Sequence, residues 1–129
     1  MTEVQAGSYV FMDGRYQSVL PCQFESALTL LTTVLSVHER YAVCDAGLKS
    51  LTGEFGMPES RDGSLKVRGL SEEHAHLSGE GLGTLHPGDR IELVPSHGDT
   101  TLNLHNVYNV RRGEEVVEQW PILAARKYK

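Results

Sequence analysis

The chain has 129 residues and a net charge of −5, with 40% hydrophobic and 22% charged residues. That length is enough to bury one hydrophobic core, and the composition lies near the average for folded chains and far from that of disordered ones. Lysines and arginines are scattered, which excludes the basic footprint of a nucleic-acid binder, and the longest apolar run, Ala27 to Val37, is broken by Thr29, Thr32, Thr33 and Ser36 and is too short to cross a membrane as a helix.

Met1 to Gly7 shows neither a basic nor an apolar leader region, so a cytoplasmic location is expected. Ser8 to Asp13, bracketed by Gly7 and Gly14, is rich in strand formers and predicts a strand. A polar stretch with Arg15, Tyr16, Gln17 and Pro21 follows. Ala27 to Val37 is long enough for a helix, but its Thr and Val residues favour a strand. Arg40 to Asp45 predicts a second strand, and the polar triplet His38-Glu39-Arg40 between them makes a hairpin. Leu48 to Leu51 suits a single helical turn. Thr52 to Gly63 carries Gly53, Gly56, Pro58 and Gly63 and reads as a loop.

Further pieces run over Leu65 to Leu70 and Glu73 to Ser78. A Pro-Gly turn at Leu85 to Asp89 leads into a strand over Arg90 to Pro95. Asn106 to Pro121 forms two strand patterns around a turn at Arg112-Gly113-Glu114. Short strands separated by Gly and Pro turns imply a mainly β fold, a β-barrel or sandwich with little helix. Cys22 and Cys44 read as free thiols in or near the core, and the aromatics Phe11, Tyr108 and Trp120 read as core residues.

The sharpest chemical feature is Pro95-Ser96-His97-Gly98-Asp99-Thr100-Thr101. In an extended chain, residues two apart project to one side, so His97 and Asp99 can aim an imidazole nitrogen and a carboxylate at one divalent cation such as Zn²⁺ or Mn²⁺. The same residues can instead cap a turn or a short helix over Thr100 to Leu104. Spacing alone leaves both readings open. His74 and His76, with Glu73 nearby, make a second candidate cluster or a solvated polar edge. Lys49 is a weak candidate for a Schiff-base lysine, a role that needs a desolvated site. Gly7, Ser8 and Tyr9 offer backbone N–H groups and two hydroxyls to an anion such as a phosphate, or form a plain strand entry.

The order of five pieces is more telling than any one of them. Glu3 to Asp13, then Asp45-Ala46-Gly47-Leu48-Lys49, then Leu70 to His74, then Pro95 to Leu104, then Trp120-Pro121-Ile122, together resemble the C-terminal part of the D-threonine aldolase and D-serine dehydratase family. The resemblance spans nearly the whole chain. It implies an alanine racemase-type pyridoxal-phosphate enzyme, in which a (β/α)₈ barrel binds the cofactor and a β-domain follows it. Residues 1–13 would then be the remnant of the last barrel strand and its exit, and residues 14–129 the β-domain.

By resemblance, His97 and Asp99 bind a divalent metal beside the cofactor, and Gly7, Ser8 and Tyr9 approach the cofactor phosphate. The dehydratases place a cysteine at the second metal position. Asp99 matches the aldolases and favours manganese or similar ions over zinc. The implied reaction is cleavage of a β-hydroxy-D-amino acid to glycine and an aldehyde, with the cofactor as electron sink and the metal as Lewis acid at the substrate hydroxyl. A (β/α)₈ barrel takes about 250 residues, so the cofactor lysine is missing and the isolated chain is expected to be inactive alone. The expected partner is a separately encoded pyridoxal-phosphate barrel, joined by strand addition of Ser8 to Asp13, or a second copy in a homodimer, with no nucleic acid and no membrane. D-serine dehydration and a non-catalytic, truncated β-module are the alternatives.

Overall fold

In the structure, a computed structural model, residues 2–20 and 24–123 are described. Strand formers between Gly and Pro stops yield the strands expected over Ala27 to Val37, Arg40 to Asp45 and Arg90 to Pro95, and also strands within the pieces Leu65 to Leu70 and Glu73 to Ser78. They are β1 (Leu30–Val37), β2 (Ala42–Cys44), β4 (Lys66–Leu70), β5 (Ala75–Ser78) and β6 (Arg90–Val94). A two-residue strand, β3 (Glu59–Ser60), completes a closed antiparallel barrel of order β1-β2-β5-β4-β3-β6. Alternation along β1 turns Thr32 and Val34 inward and leaves Leu31 and Leu35 exposed. Val34, Leu51, Leu65, Val67, Leu77 and Leu93 fill the interior.

β3 corrects the loop expected over Thr52 to Gly63. Its Ser60 hydroxyl accepts from Leu65 N–H at 2.9 Å and donates to Asp62 at 2.5 Å, so a two-residue strand is pinned by its own turn rather than by length. The β1–β2 hairpin forms as expected, and Leu48 to Leu51 is a single turn that buries Leu51. Cys44 is a buried free thiol, and Cys22 lies outside the described residues.

The second correction is at the N-terminus. Ser8–Val10 is a 3₁₀ turn rather than a strand, with Met12 N–H donating to the Ser8 carbonyl at 2.9 Å. A closed barrel offers this segment no free edge, so its backbone groups are satisfied by turns instead. Asp13 is extended and caps a short helix, α1 (Gly14–Val19), by accepting from Tyr16 N–H at 2.9 Å.

After the barrel comes α2 (Gly98–Leu102), and then the hairpin of β7 (Val107–Arg112) and β8 (Glu115–Pro121), turned at Gly113 with φ +62°. The hairpin is a separate two-stranded sheet, and Trp120, expected in the core, is half exposed at 52%, with no second sheet over that face among the described residues. Phe11 and Tyr108 are half-buried and stack on each other at 5.5 Å, joining the N-terminal arm to β7. Glu92 of β6 holds the hairpin to the barrel: its carboxylate pairs with Arg111, and also accepts from Thr29 at 2.9 Å and Arg61 at 3.1 Å. No helix among the described residues is long and apolar enough to cross a membrane.

Candidate metal centre

Pro95 ends β6, and the chain then turns sharply across one end of the barrel. The Ser96 hydroxyl is buried and shared between the carbonyls of Thr52 at 3.1 Å and Glu54 at 2.8 Å, which fixes the start of the turn. His97 is the last extended residue, with φ −140° and ψ 123°. α2 starts at Gly98, two residues earlier than the expected Thr100, and Thr101 Oγ1 ties it down by donating to the His97 carbonyl at 2.9 Å. Asp99 therefore sits in the first helical turn and not in an extended chain. The two candidate ligands still face each other, with His97 Nε2 3.9 Å from Asp99 Oδ2.

Their environments differ. The His97 side chain is 16% exposed and that of Asp99 is 83% exposed. A cation bonded to both at the usual distances of about 2.1 Å would hold the two atoms about 3.0 to 3.4 Å apart. The exposed Asp99 carboxylate can close that gap by side-chain rotation.

Asp13 is a close neighbour of His97 that spacing did not reveal. Its buried carboxylate accepts from Tyr16 N–H through Oδ1 and from Gly98 N–H through Oδ2, at 2.9 and 2.8 Å. The same Oδ2 lies 3.3 Å from His97 Nδ1, a buried atom with no well-aligned hydrogen-bond partner among the described residues. Gly14 and Arg15 N–H groups donate to the carbonyls of Pro95 and Ser96, both at 3.0 Å, so α1 is laid along the turn that carries His97. The only sequence signal was an Asp directly before Gly14, which marks a helix cap but not its distant contact.

Two non-glycine residues take left-handed backbone angles beside this site, Met12 with φ 49° and Phe55 with φ 61°. Such strain persists where surrounding contacts enforce it. Met12 is buried next to Asp13, and the Phe55 ring packs edge-on against His97 at 5.1 Å while Arg15 lies 5.8 Å over its face. Burial, and then the charge of Asp99, push the Tyr108 hydroxyl above its usual range. A groove of about 1260 Å³ runs past Arg15, Phe55 and Ser96 without including His97 or Asp99, so it is a neighbour of the centre and not the centre itself.

The other candidates fall away from the pair. His74 and His76 are exposed, with His76 stacked on Tyr41 at 5.7 Å, as a solvated edge requires. Lys49 is 67% exposed and paired with Glu73 at 2.5 Å, and Lys66 is 65% exposed and paired with Glu59 at 3.2 Å. Neither is a desolvated lysine fit to join pyridoxal phosphate, so no described residue supplies the cofactor's covalent anchor. Gly7 and Tyr9 are exposed and Ser8 is half-buried, at the start of the 3₁₀ turn, with open space around Gly7. Among the described residues no group of three or more His, Cys, Asp or Glu side chains surrounds a single cation position. His97 and Asp99 would thus form two ligands of an open site.

A family model described as "Putative serine dehydratase domain" matches residues 27–111, which take in the whole barrel, His97, Asp99 and most of β7. The chain belongs to this family. Within its reach lie two similar aldolases. D-threonine aldolase of an Arthrobacter species is 41% identical over 130 residues, covering 95% of this chain and 34% of that protein. 3-Hydroxy-D-aspartate aldolase of Paracoccus denitrificans is 36% identical over 136 residues, covering 97% of this chain and 35% of that protein. The crystal structure of D-threonine aldolase from Filomicrobium marinum superposes with a TM-score of 0.84 at 37% identity, over 93% of this chain and 35% of that one. The chain thus spans about a third of the length of the relatives it matches. Family membership and the mainly β architecture are as the sequence motifs implied.

Proposed function

We propose that this chain is the metal-carrying β-domain of a pyridoxal-phosphate-dependent lyase that cleaves β-hydroxy-D-amino acids to glycine and an aldehyde when combined with a (β/α)₈ barrel. The observation that carries the reading is the meeting of His97 Nε2 and the Asp99 carboxylate, 3.9 Å apart at one end of the barrel. A mixed nitrogen and oxygen donor pair suits Mn²⁺ or Zn²⁺, and two protein ligands leave positions for water and substrate. When bound, the metal supplies Lewis acidity at the substrate hydroxyl and pyridoxal phosphate supplies an electron sink.

The chain's own residues hold and orient. His97 and Asp99 fix the cation, Phe55 shields one side of the imidazole from water, and Gly7, Ser8 and Tyr9 lie on the arm that would approach the cofactor phosphate. Residues 1–13 would be the exit from the barrel and residues 14–129 the β-domain. The lysine, the rest of the phosphate site and the substrate pocket come from the barrel, on a separate chain or in a homodimeric assembly. The aldolases among the relatives, and Asp99 in place of a soft thiolate ligand, favour cleavage. The family description favours D-serine dehydration as the second reading.

Titration of the chain with Mn²⁺ and Zn²⁺ tests the site, and His97→Ala and Asp99→Ala are each expected to weaken binding at least about tenfold. Unchanged affinity in both variants would remove the metal site. Mixing the chain with a barrel-only polypeptide and D-threonine is expected to release acetaldehyde and glycine in a metal-dependent way. Pyruvate and ammonia from D-serine would assign dehydration instead, and no product from either would leave a non-catalytic β-module.

A further inference from the structure

Asp13 is buried, carries no ion pair with Lys or Arg among the described residues, and uses both carboxylate oxygens inside the protein. One oxygen caps α1 and the other accepts from the first N–H of α2, so a single side chain joins the N-terminal arm to the turn that carries His97. That turn needs no such help for its own start, because Ser96 and Thr101 already anchor it to Thr52, Glu54 and the His97 carbonyl. What they leave unsettled is the imidazole ring itself.

A neutral imidazole carries one proton, and only the bare nitrogen can take a cation. His97 Nδ1 is buried and faces Asp13 Oδ2 at 3.3 Å, while Nε2 faces Asp99. Asp13 Oδ2 is an acceptor only, so it favours the proton on Nδ1 and leaves the lone pair on Nε2. The opposite tautomer would set a buried lone pair against a buried carboxylate and put a proton where the metal must bind. We propose that Asp13 is a positioning residue that fixes the tautomer and rotation of His97, and so prepares Nε2 for a divalent cation. This rests on His97 and Asp99 being the metal pair.

The 3.3 Å contact is long and poorly aligned, and it leaves Nδ1 without a formed hydrogen bond among the described residues. Unliganded sites commonly hold such contacts loosely and tighten them once the partner binds. The left-handed backbone at Met12, directly before Asp13, is consistent with a carboxylate forced into one position by the packing around it.

The test uses the whole chain with ¹⁵N-labelled histidine, free of metal and at alkaline pH where imidazole is neutral. Long-range nitrogen–proton spectra are expected to show His97 protonated on Nδ1 in the wild type. Asp13→Asn presents an amide that can donate toward Nδ1, and is expected to move the proton toward Nε2 and to lower Mn²⁺ affinity about 10- to 100-fold. Circular dichroism reports whether the variant is folded, and the wild-type spectrum alone decides the point if it is not. Wild-type His97 protonated on Nε2, or Asp13→Asn with unchanged tautomer and unchanged affinity, would overturn the proposal. His97→Ala separates the two readings. If it abolishes binding while Asp13→Asn changes nothing, the metal site stands and the role of Asp13 falls; if it leaves binding intact, the metal site itself falls.

Discussion

Replacing Glu92 by Gln tests how the β7–β8 hairpin is held to the barrel. Glu92 accepts from Thr29 at 2.9 Å and Arg61 at 3.1 Å and pairs with Arg111 of β7, and its side chain is 21% exposed. Arg61 is half exposed, so its pair is worth about 0.5 kcal/mol. The less exposed Arg111 contact and the Thr29 bond contribute about 1 to 1.5 kcal/mol each. Gln keeps the shape and part of the hydrogen bonding but loses the charge, so the net cost is about 2 kcal/mol, or about 8 °C in Tm for a domain of this size. Urea unfolding at pH 7 measures it.

The pH dependence gives a second reading of the same variant. Burial raises the Glu92 carboxyl, but the bonds from Arg111, Thr29 and Arg61, with the charge of Arg111, outweigh it and hold the group below its usual value. A carboxylate depressed in the folded state adds stability above its unfolded value of about 4.3, and loses it as pH falls through the lower folded value. The gap between wild type and Glu92→Gln should therefore narrow in acid. An unchanged urea midpoint at pH 7, or a gap that stays constant down to pH values below the folded transition, would refute the reasoning.

Two other substitutions probe the barrel. Leu77→Ala removes a fully buried side chain from β5 and should cost about 3 to 4 kcal/mol by urea unfolding, because the closed sheet cannot collapse into the void. Gly79→Ala places a methyl 2.2 Å from the Ser64 carbonyl oxygen at φ +146°, so it should lose at least about 2 kcal/mol and shift the amide signals of Ser64 and Leu65.

The β1, β2 and β6 strands were legible because β-branched and apolar runs end at Gly, Pro or charged turns. β3 was not, since two residues carry no period, and what makes Glu59–Ser60 a strand is its neighbours Lys66, Val94 and Leu93. Ser8 to Asp13 has strand composition but no edge to pair with, which composition cannot report. The pairing of His97 with Asp99 was readable, although for a different backbone reason from the one that brings them together: an extended residue meets the first turn of α2. Asp13 was hidden because its partner Gly98 lies 85 positions away in the sequence. Trp120 looked like a core residue by type, but among the described residues no second layer lies over β8 to cover it.

Closure of the six strands also decides where this molecule can recruit another chain by backbone pairing. Every barrel strand has a neighbour on both sides, so the unpaired rims of the described sheets belong to β7 and β8. A Pro at the end of β8 and the charged residues Arg111, Arg112, Glu115 and Glu118 along the ribbon discourage indiscriminate stacking there. Among the described residues, ribbon-to-ribbon contact with a companion is therefore open only to this hairpin, which Glu92 ties to the barrel through Arg111.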